Sequence, residues 1–109
     1  MTVFLMAEVK VTDDAWIPDY AAHVHDIAAR HNGRYLSRSG NIETLEGAVT
    51  DETLIALIQF PSREDALGFA QDPAYAPFAK ARQQGSLSHF RLIDDTDLAG
   101  SIPYLGKPG

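Results

Sequence analysis

Arg38, Arg82 and Glu46 are the residues of this chain best suited to holding a charged ligand. A guanidinium grips a carboxylate through two parallel hydrogen bonds, so Arg38 or Arg82 can serve as a clamp for a small carboxylate-bearing molecule. A second reading is internal: Arg38 and Glu46 flank one turn-rich stretch and can pair with each other, or across a dimer. Tyr20 and Tyr75 place hydroxyls at otherwise apolar positions. A buried tyrosine needs a partner for that hydroxyl, either a ligand or a backbone carbonyl. With His89, these five residues are the candidate ligand-binding set, and none is assigned a catalytic step.

The chain has 4 histidines and no cysteine. Disulfides, thiolate metal sites and cysteine nucleophiles are therefore excluded. His23 and His25 fall in one expected helix, where side chains two apart diverge by roughly 200° and cannot share an ion. No histidine pair has the i,i+4 spacing of zinc-binding helices, so no metal is expected. His25 reads as a solvated surface residue. His31, near that helix's C-terminus, suits a dipole contact or a packed neutral ring. His23 follows Asp19 by four residues and suits a capping or ion-pair role. His89 lies on an expected edge strand that fold closure could aim into a cavity. The stretch Ser37-Arg38-Ser39-Gly40-Asn41 lacks the lysine and helix of a phosphate loop. With no nucleophile elbow or nucleotide fingerprint either, no cofactor is expected.

These side chains must be carried by elements that the apolar spacing outlines. Residues 3–11 alternate apolar and polar as a strand does, with Val3, Leu5, Ala7, Val9 and Val11 on one face. Residues 15–32 carry a helical stripe of Trp16, Ile17, Tyr20, Val24, Ile27 and Ala28, with Pro18 confined to the first turns and Asn32-Gly33 as the stop. A polar strand over 34–38 precedes a turn-rich stretch, 39–52, that reads as a hairpin arm. Residues 53–60 form an apolar strand. Ser62 and Asp65 make a partial capping box for a short helix over 63–71, with Ala66, Phe69 and Ala70 inward. A further helix starts near Ala76 with Pro77 at its first position and carries Arg82. Residues 87–93 are the last strand. The order β-α-β-β-α-β predicts an α+β, ferredoxin-like sandwich with one four-stranded antiparallel sheet. Its helices cover one face, which leaves apolar residues such as Phe4, Met6, Ile58 and Phe60 for a second sheet, so a homodimer is expected.

The composition agrees with one globular domain. Of 109 residues, 45% are hydrophobic and 22% charged, a balance that excludes wholesale disorder. A net charge of −6 argues against a nucleic-acid partner. The longest apolar runs, 3–7 and 54–58, are far below the ~18–20 residues that span a bilayer. No basic region precedes the first run, so no secretory signal is expected and the reading is cytoplasmic.

Asn32-Gly33-Arg34-Tyr35-Leu36-Ser37-Arg38-Ser39-Gly40, Leu45-Glu46-Gly47, Ile58-Gln59-Phe60-Pro61-Ser62, and Asp72-Pro73-Ala74-Tyr75 followed by Arg82 resemble the signature of a bacterial family. It is the domain-of-unknown-function family numbered thirteen-thirty, in the dimeric α/β-barrel superfamily, and the likeness covers residues 3–93. It implies a ferredoxin-like protomer in a homodimer with no agreed activity. The positions similar to the family's own are Tyr20, Arg38, Gly40, Leu45, Glu46, Gly47, Tyr75 and Arg82. Ser39 stands where a second glycine is common, and Ala70 where an aromatic is frequent. A pocket beside Ala70 is therefore expected to be enlarged or opened.

Related barrels host cofactor-independent chemistry in a cavity between sheet and helices, which is a fold-level analogy. The expected function is binding or converting a small organic molecule in that cavity, and the alternative is a non-catalytic binding or regulatory module. The tail, 94–109, carries Leu98, Ile102, Tyr104 and Leu105. It is expected to dock over the pocket mouth or the partner protomer.

Overall fold

Strand β1 (Val3–Val11) buries Val3, Leu5, Ala7 and Val9 and turns Phe4, Met6, Glu8 and Lys10 to the opposite face. The computed structural model, which describes residues 1–99, sets this strand at the centre of a four-stranded antiparallel sheet. The strand order is β2-β3-β1-β4, with β2 (Arg34–Ser39), β3 (Leu54–Phe60) and β4 (Ser86–Asp94). Three helices lie on the face bearing the buried β1 residues. The two central strands, β1 and β3, are the apolar ones, and the more polar β2 and β4 lie at the edges. The ferredoxin-like α+β expectation holds.

Asp13 opens a 3-10 turn (Asp14–Trp16), its carboxylate accepting from the Ala15 N–H at 3.0 Å. Helix α1 (Ile17–Arg30) follows, with Pro18 in its first turn where a missing N–H costs nothing. The turn is why α1 starts later than the expected residue 15. Asn32 takes the left-handed stop conformation at φ 63°. Helix α2 (Arg63–Ala70) is capped as the sequence suggested, the Ser62 Oγ accepting from the Asp65 N–H at 3.1 Å. Helix α3 (Ala76–Gln84) again has proline in its first turn. Val24, Ile27, Ala28, Phe60 and Phe69 are at most 2% exposed and form the centre of the core.

Two expectations are corrected. Residues 40–52 belong to no strand ladder and are almost wholly exposed, so they form an extended loop instead of a hairpin arm; only at Thr53, whose N–H donates to the Val9 carbonyl at 2.7 Å, does the chain rejoin the sheet. Alternating apolar residues are missing there, and a ladder has nothing to bury. In β3, Ile58 and Phe60 point into the helical core; Ile55, Leu57 and Gln59 face the other way. That outer face carries Phe4, Met6, Ile55 and Leu57 half-buried, with Leu87 60% and Ile93 50% exposed. Ion pairs from Glu8 to Arg91 (2.9 Å) and Lys10 to Asp51 (2.6 Å) lie on the same side of the sheet.

The Asp95 N–H still donates to the Thr2 carbonyl at 3.1 Å, and Leu98 is 52% exposed. The docking expected of Ile102, Tyr104 and Leu105 lies outside the described residues. Among those residues no helix is long and apolar enough to cross a membrane.

Candidate functional site

The helical face of the sheet does not pack solidly against α1. A cavity of about 140 Å³ remains between them, lined by Trp16, Tyr20 and Val24 from one side and by Val9, Tyr35, Ala56 and Phe90 from the sheet. Small side chains at Ala7, Ala21 and Ala56 leave the space, and the aromatic rings frame it. Trp16 closes one wall. Its indole N–H donates to the Gly85 carbonyl at 3.1 Å, and its ring lies where any Cβ on residue 85 would sit, 2.3 Å from Trp16 Cδ1. Only glycine permits that approach.

Arg82 reaches this cavity from α3. It is 6% exposed, no carboxylate pairs with it among the described residues, and its Nε–H has no acceptor. Its guanidinium stacks over Phe90 at 4.0 Å and donates one long hydrogen bond, 3.4 Å, from Nη2 to the Tyr75 hydroxyl. Burying a charge without a counter-charge is costly, and ring stacking offsets only part of that cost. The Tyr75 hydroxyl lies 2.9 Å from that of Tyr20. Burial first, and then the neighbouring Tyr75, pushes the Tyr20 hydroxyl well above the ordinary tyrosine range, so it stays protonated. Burial likewise raises Tyr35, with Arg38 opposing.

The structure thus gathers Tyr20, Tyr75, Arg82 and, at the rim, Arg38. Arg38 is exposed and stacks over Tyr35 at 4.1 Å; no ion pair joins it to Glu46 within the chain. Glu46 sits in the exposed loop, away from the cavity. His89 also lies off it. The alternation that turns Ser88 and Phe90 toward the helices points His89 to the outer face, opposite Glu8 in the strand register. The β4 pattern of Phe90 and Leu92 against His89 and Arg91 already carried that signal. Trp16, Tyr35 and Phe90 were not among the sequence candidates, and nothing local distinguishes them from core residues.

The other histidines have structural partners. His31 Nε2 donates to Asp72 Oδ2 at 2.7 Å, tying the end of α1 to the loop before α3. That bond, followed by one from the Ala74 N–H, holds the Asp72 carboxyl below its ordinary range. His23 Nδ1 donates to the Asp19 carbonyl at 2.9 Å, not to its carboxylate, and the ring stacks on Phe78. His25 lies beside Asp26 at 3.2 Å and borders the cavity. Among the described residues no three acidic or histidine side chains gather closely enough to hold a metal ion.

A second hollow of about 360 Å³ lies between α2, α3 and β4, and shares Arg82, Phe69 and Phe90 with the first as a common wall. Ala70 borders it, the position where the sequence anticipated an opened pocket.

Among solved structures the chain is similar to RPA0582, a protein of unknown function from Rhodopseudomonas palustris, at 14% identity and TM-score 0.73, covering 88% of this chain and 83% of that one. It is also similar to SnoaB, a cofactor-independent oxygenase from Streptomyces nogalater, at 16% identity, TM-score 0.62, and 88% and 94% coverage. A candidate monooxygenase from Shewanella loihica shares 27% identity, with TM-score 0.53 and 88% and 95% coverage. No curated protein matches the sequence. The sequence profile of the family described as Domain of unknown function (DUF1330) matches residues 2–96, so the chain belongs to that family.

Proposed function

We propose that the protein is a homodimer that binds, and in the fuller reading converts without a cofactor, a small organic carboxylate in the cavity between sheet and α1. The observation that carries this is Arg82, a buried charge with no carboxylate partner among the described residues. A ligand carboxylate would supply the missing partner, with Tyr20 as a second donor and Arg38 as a rim charge that guides the anion inward. Tyr75 holds both inner groups in place through its hydroxyl.

Likeness to a candidate monooxygenase favours conversion. The lining favours simple binding, because it holds no aspartate, glutamate, serine or lysine and its one ordinary proton acceptor is His25 at the edge. A thermal-shift survey of metabolites separates the two. At 100 times its Kd a ligand adds about 2.7 kcal/mol, several degrees per kcal/mol in a domain of this size. A stabilising acid that is consumed marks an enzyme; one recovered unchanged marks a binding module. If no carboxylate raises the melting temperature, the proposal fails.

The apolar outer sheet face supports the dimer, with two sheets closing face to face over Phe4, Met6, Ile55 and Leu57. Light scattering at micromolar concentration should return twice the 11.9 kDa protomer mass.

A further inference from the structure

Resting on the carboxylate reading above, we infer that the cavity is a one-ring site whose ligand is a monocyclic aromatic carboxylate, with its ring among the aromatic walls and its carboxylate on Arg82 and Tyr20. The volume sets the size. A cavity of about 140 Å³ is close to the ~150 Å³ of an apolar cavity that holds one benzene molecule. Acetate would leave most of it empty, and a fused pair of rings exceeds it. The walls set the ring type. Trp16, Tyr20, Tyr35, Phe69 and Phe90 all border the space, and Trp16 already meets Tyr20 edge to face at 5.2 Å and 84°. Aromatic edges and faces attract another aromatic ring beyond what area burial alone supplies.

Hydrogen-bond direction sets the polar group. Arginine has no acceptor, so the Tyr75 oxygen receives the Arg82 Nη2–H. The chain is satisfied when Tyr75 passes its own proton to the Tyr20 oxygen, 2.9 Å away. Tyr20 then has a proton left over and no further acceptor among the described residues. Arg82 and Tyr20 both bond the same Tyr75 oxygen, which brings them within reach of one carboxylate. Arg82 offers only donors and Tyr20 its remaining O–H, and among the described residues the lining holds no acidic side chain to compete. A carboxylate, which is all acceptor, answers both. A neutral amide of the same shape brings donors of its own and lacks the charge.

Titration calorimetry of the full chain with five probes tests this: benzoate, cyclohexanecarboxylate, 2-naphthoate, acetate and benzamide. Benzoate is expected to bind at least tenfold more tightly than naphthoate, acetate or benzamide, and a few-fold more tightly than cyclohexanecarboxylate. Arg82→Gln should weaken benzoate ten- to a hundredfold. If that variant does not fold, Tyr20→Phe replaces it, with a several-fold loss of benzoate affinity expected beside a modest fall in melting temperature from the lost bond to Tyr75. Naphthoate or the saturated ring binding as well as benzoate overturns the one-ring aromatic inference and leaves the carboxylate reading standing, whereas benzamide binding as well as benzoate overturns both. Failure of every acid to bind overturns both.

Discussion

Arg82 and Arg38 make the same contact in two different places. Each guanidinium lies over an aromatic ring, Arg82 at 4.0 Å from Phe90 and Arg38 at 4.1 Å from Tyr35. One is buried on α3, and the other is exposed on an edge strand. Water solvates Arg38 whether or not a ligand is present, so an added anion gains little from it. Arg82 has lost its water and received one long hydrogen bond in return. The lesson is that burial, more than residue type or stacking geometry, decides which arginine can bind an anion strongly.

Arg82→Met against Arg38→Met is the direct trial. Loss of a charge-assisted bond costs ~1.5–3 kcal/mol, about one to two decades in affinity, and Arg82→Met should lose that much carboxylate binding. The free protein should be as stable as before or more so, because an unpaired buried charge has been exchanged for an apolar chain. Calorimetric titration and melting curves check both halves. An equal loss of binding in the two variants would break the comparison.

Gly85→Ala attacks the cause instead of the arginine. A Cβ there would meet Trp16 Cδ1 at 2.3 Å and the Asp13 carbonyl at 2.8 Å, so the indole must move off the cavity wall. Overpacking of this kind costs ~1–3 kcal/mol in stability. Water then enters, and the advantage of Arg82 over Arg38 in anion binding should shrink. Unchanged affinity in Gly85→Ala would show that dryness is not what sets the two arginines apart.

Arg38→Met itself should cost about 0–1 kcal/mol in binding, as exposed charges do. Its effect should fade with added salt, since a rim charge acts through a screened field. A salt-independent loss would place Arg38 in direct contact with the ligand.

The smallest effect belongs to the clip that steadies the loop before Tyr75 and Arg82. His31 holds the Asp72 carboxyl below its ordinary range, so the unfolded chain takes up that proton first as the solution is acidified. The stabilisation is present in full above the usual carboxylate range of about 4. It is lost as pH falls through the lower folded value. Urea midpoints should therefore differ between wild type and Asp72→Asn at pH 7, and the gap should narrow as the solution is acidified below the usual carboxylate range. A gap that persists in acid would assign the effect to packing.

Strand and helix were legible because each element announces its period. The alternation in residues 3–11, the stripe from Ile17 to Ala28 and the Ser62 cap all reappear in the structure at nearly the expected bounds. The site was legible only in part. Tyr20 and Tyr75 stood out as hydroxyls at apolar positions and Arg82 as a guanidinium able to clamp an anion, and the three meet. Arg38 with Glu46 looked equally persuasive, yet they do not pair within the chain, because loop residues carry no period that reports where they go.

Local spacing thus determined the elements, the central strands and which helix face turns inward, since each depends on neighbours a few residues away. Tertiary structure alone decided that Trp16 reaches across to Gly85, that Tyr20 finds Tyr75 fifty-five residues on, and that a ring-sized space survives beside Arg82. The physical reason is that a cavity is a failure of packing between surfaces that are remote in the chain. Desolvation of a charge is likewise a property of everything around it.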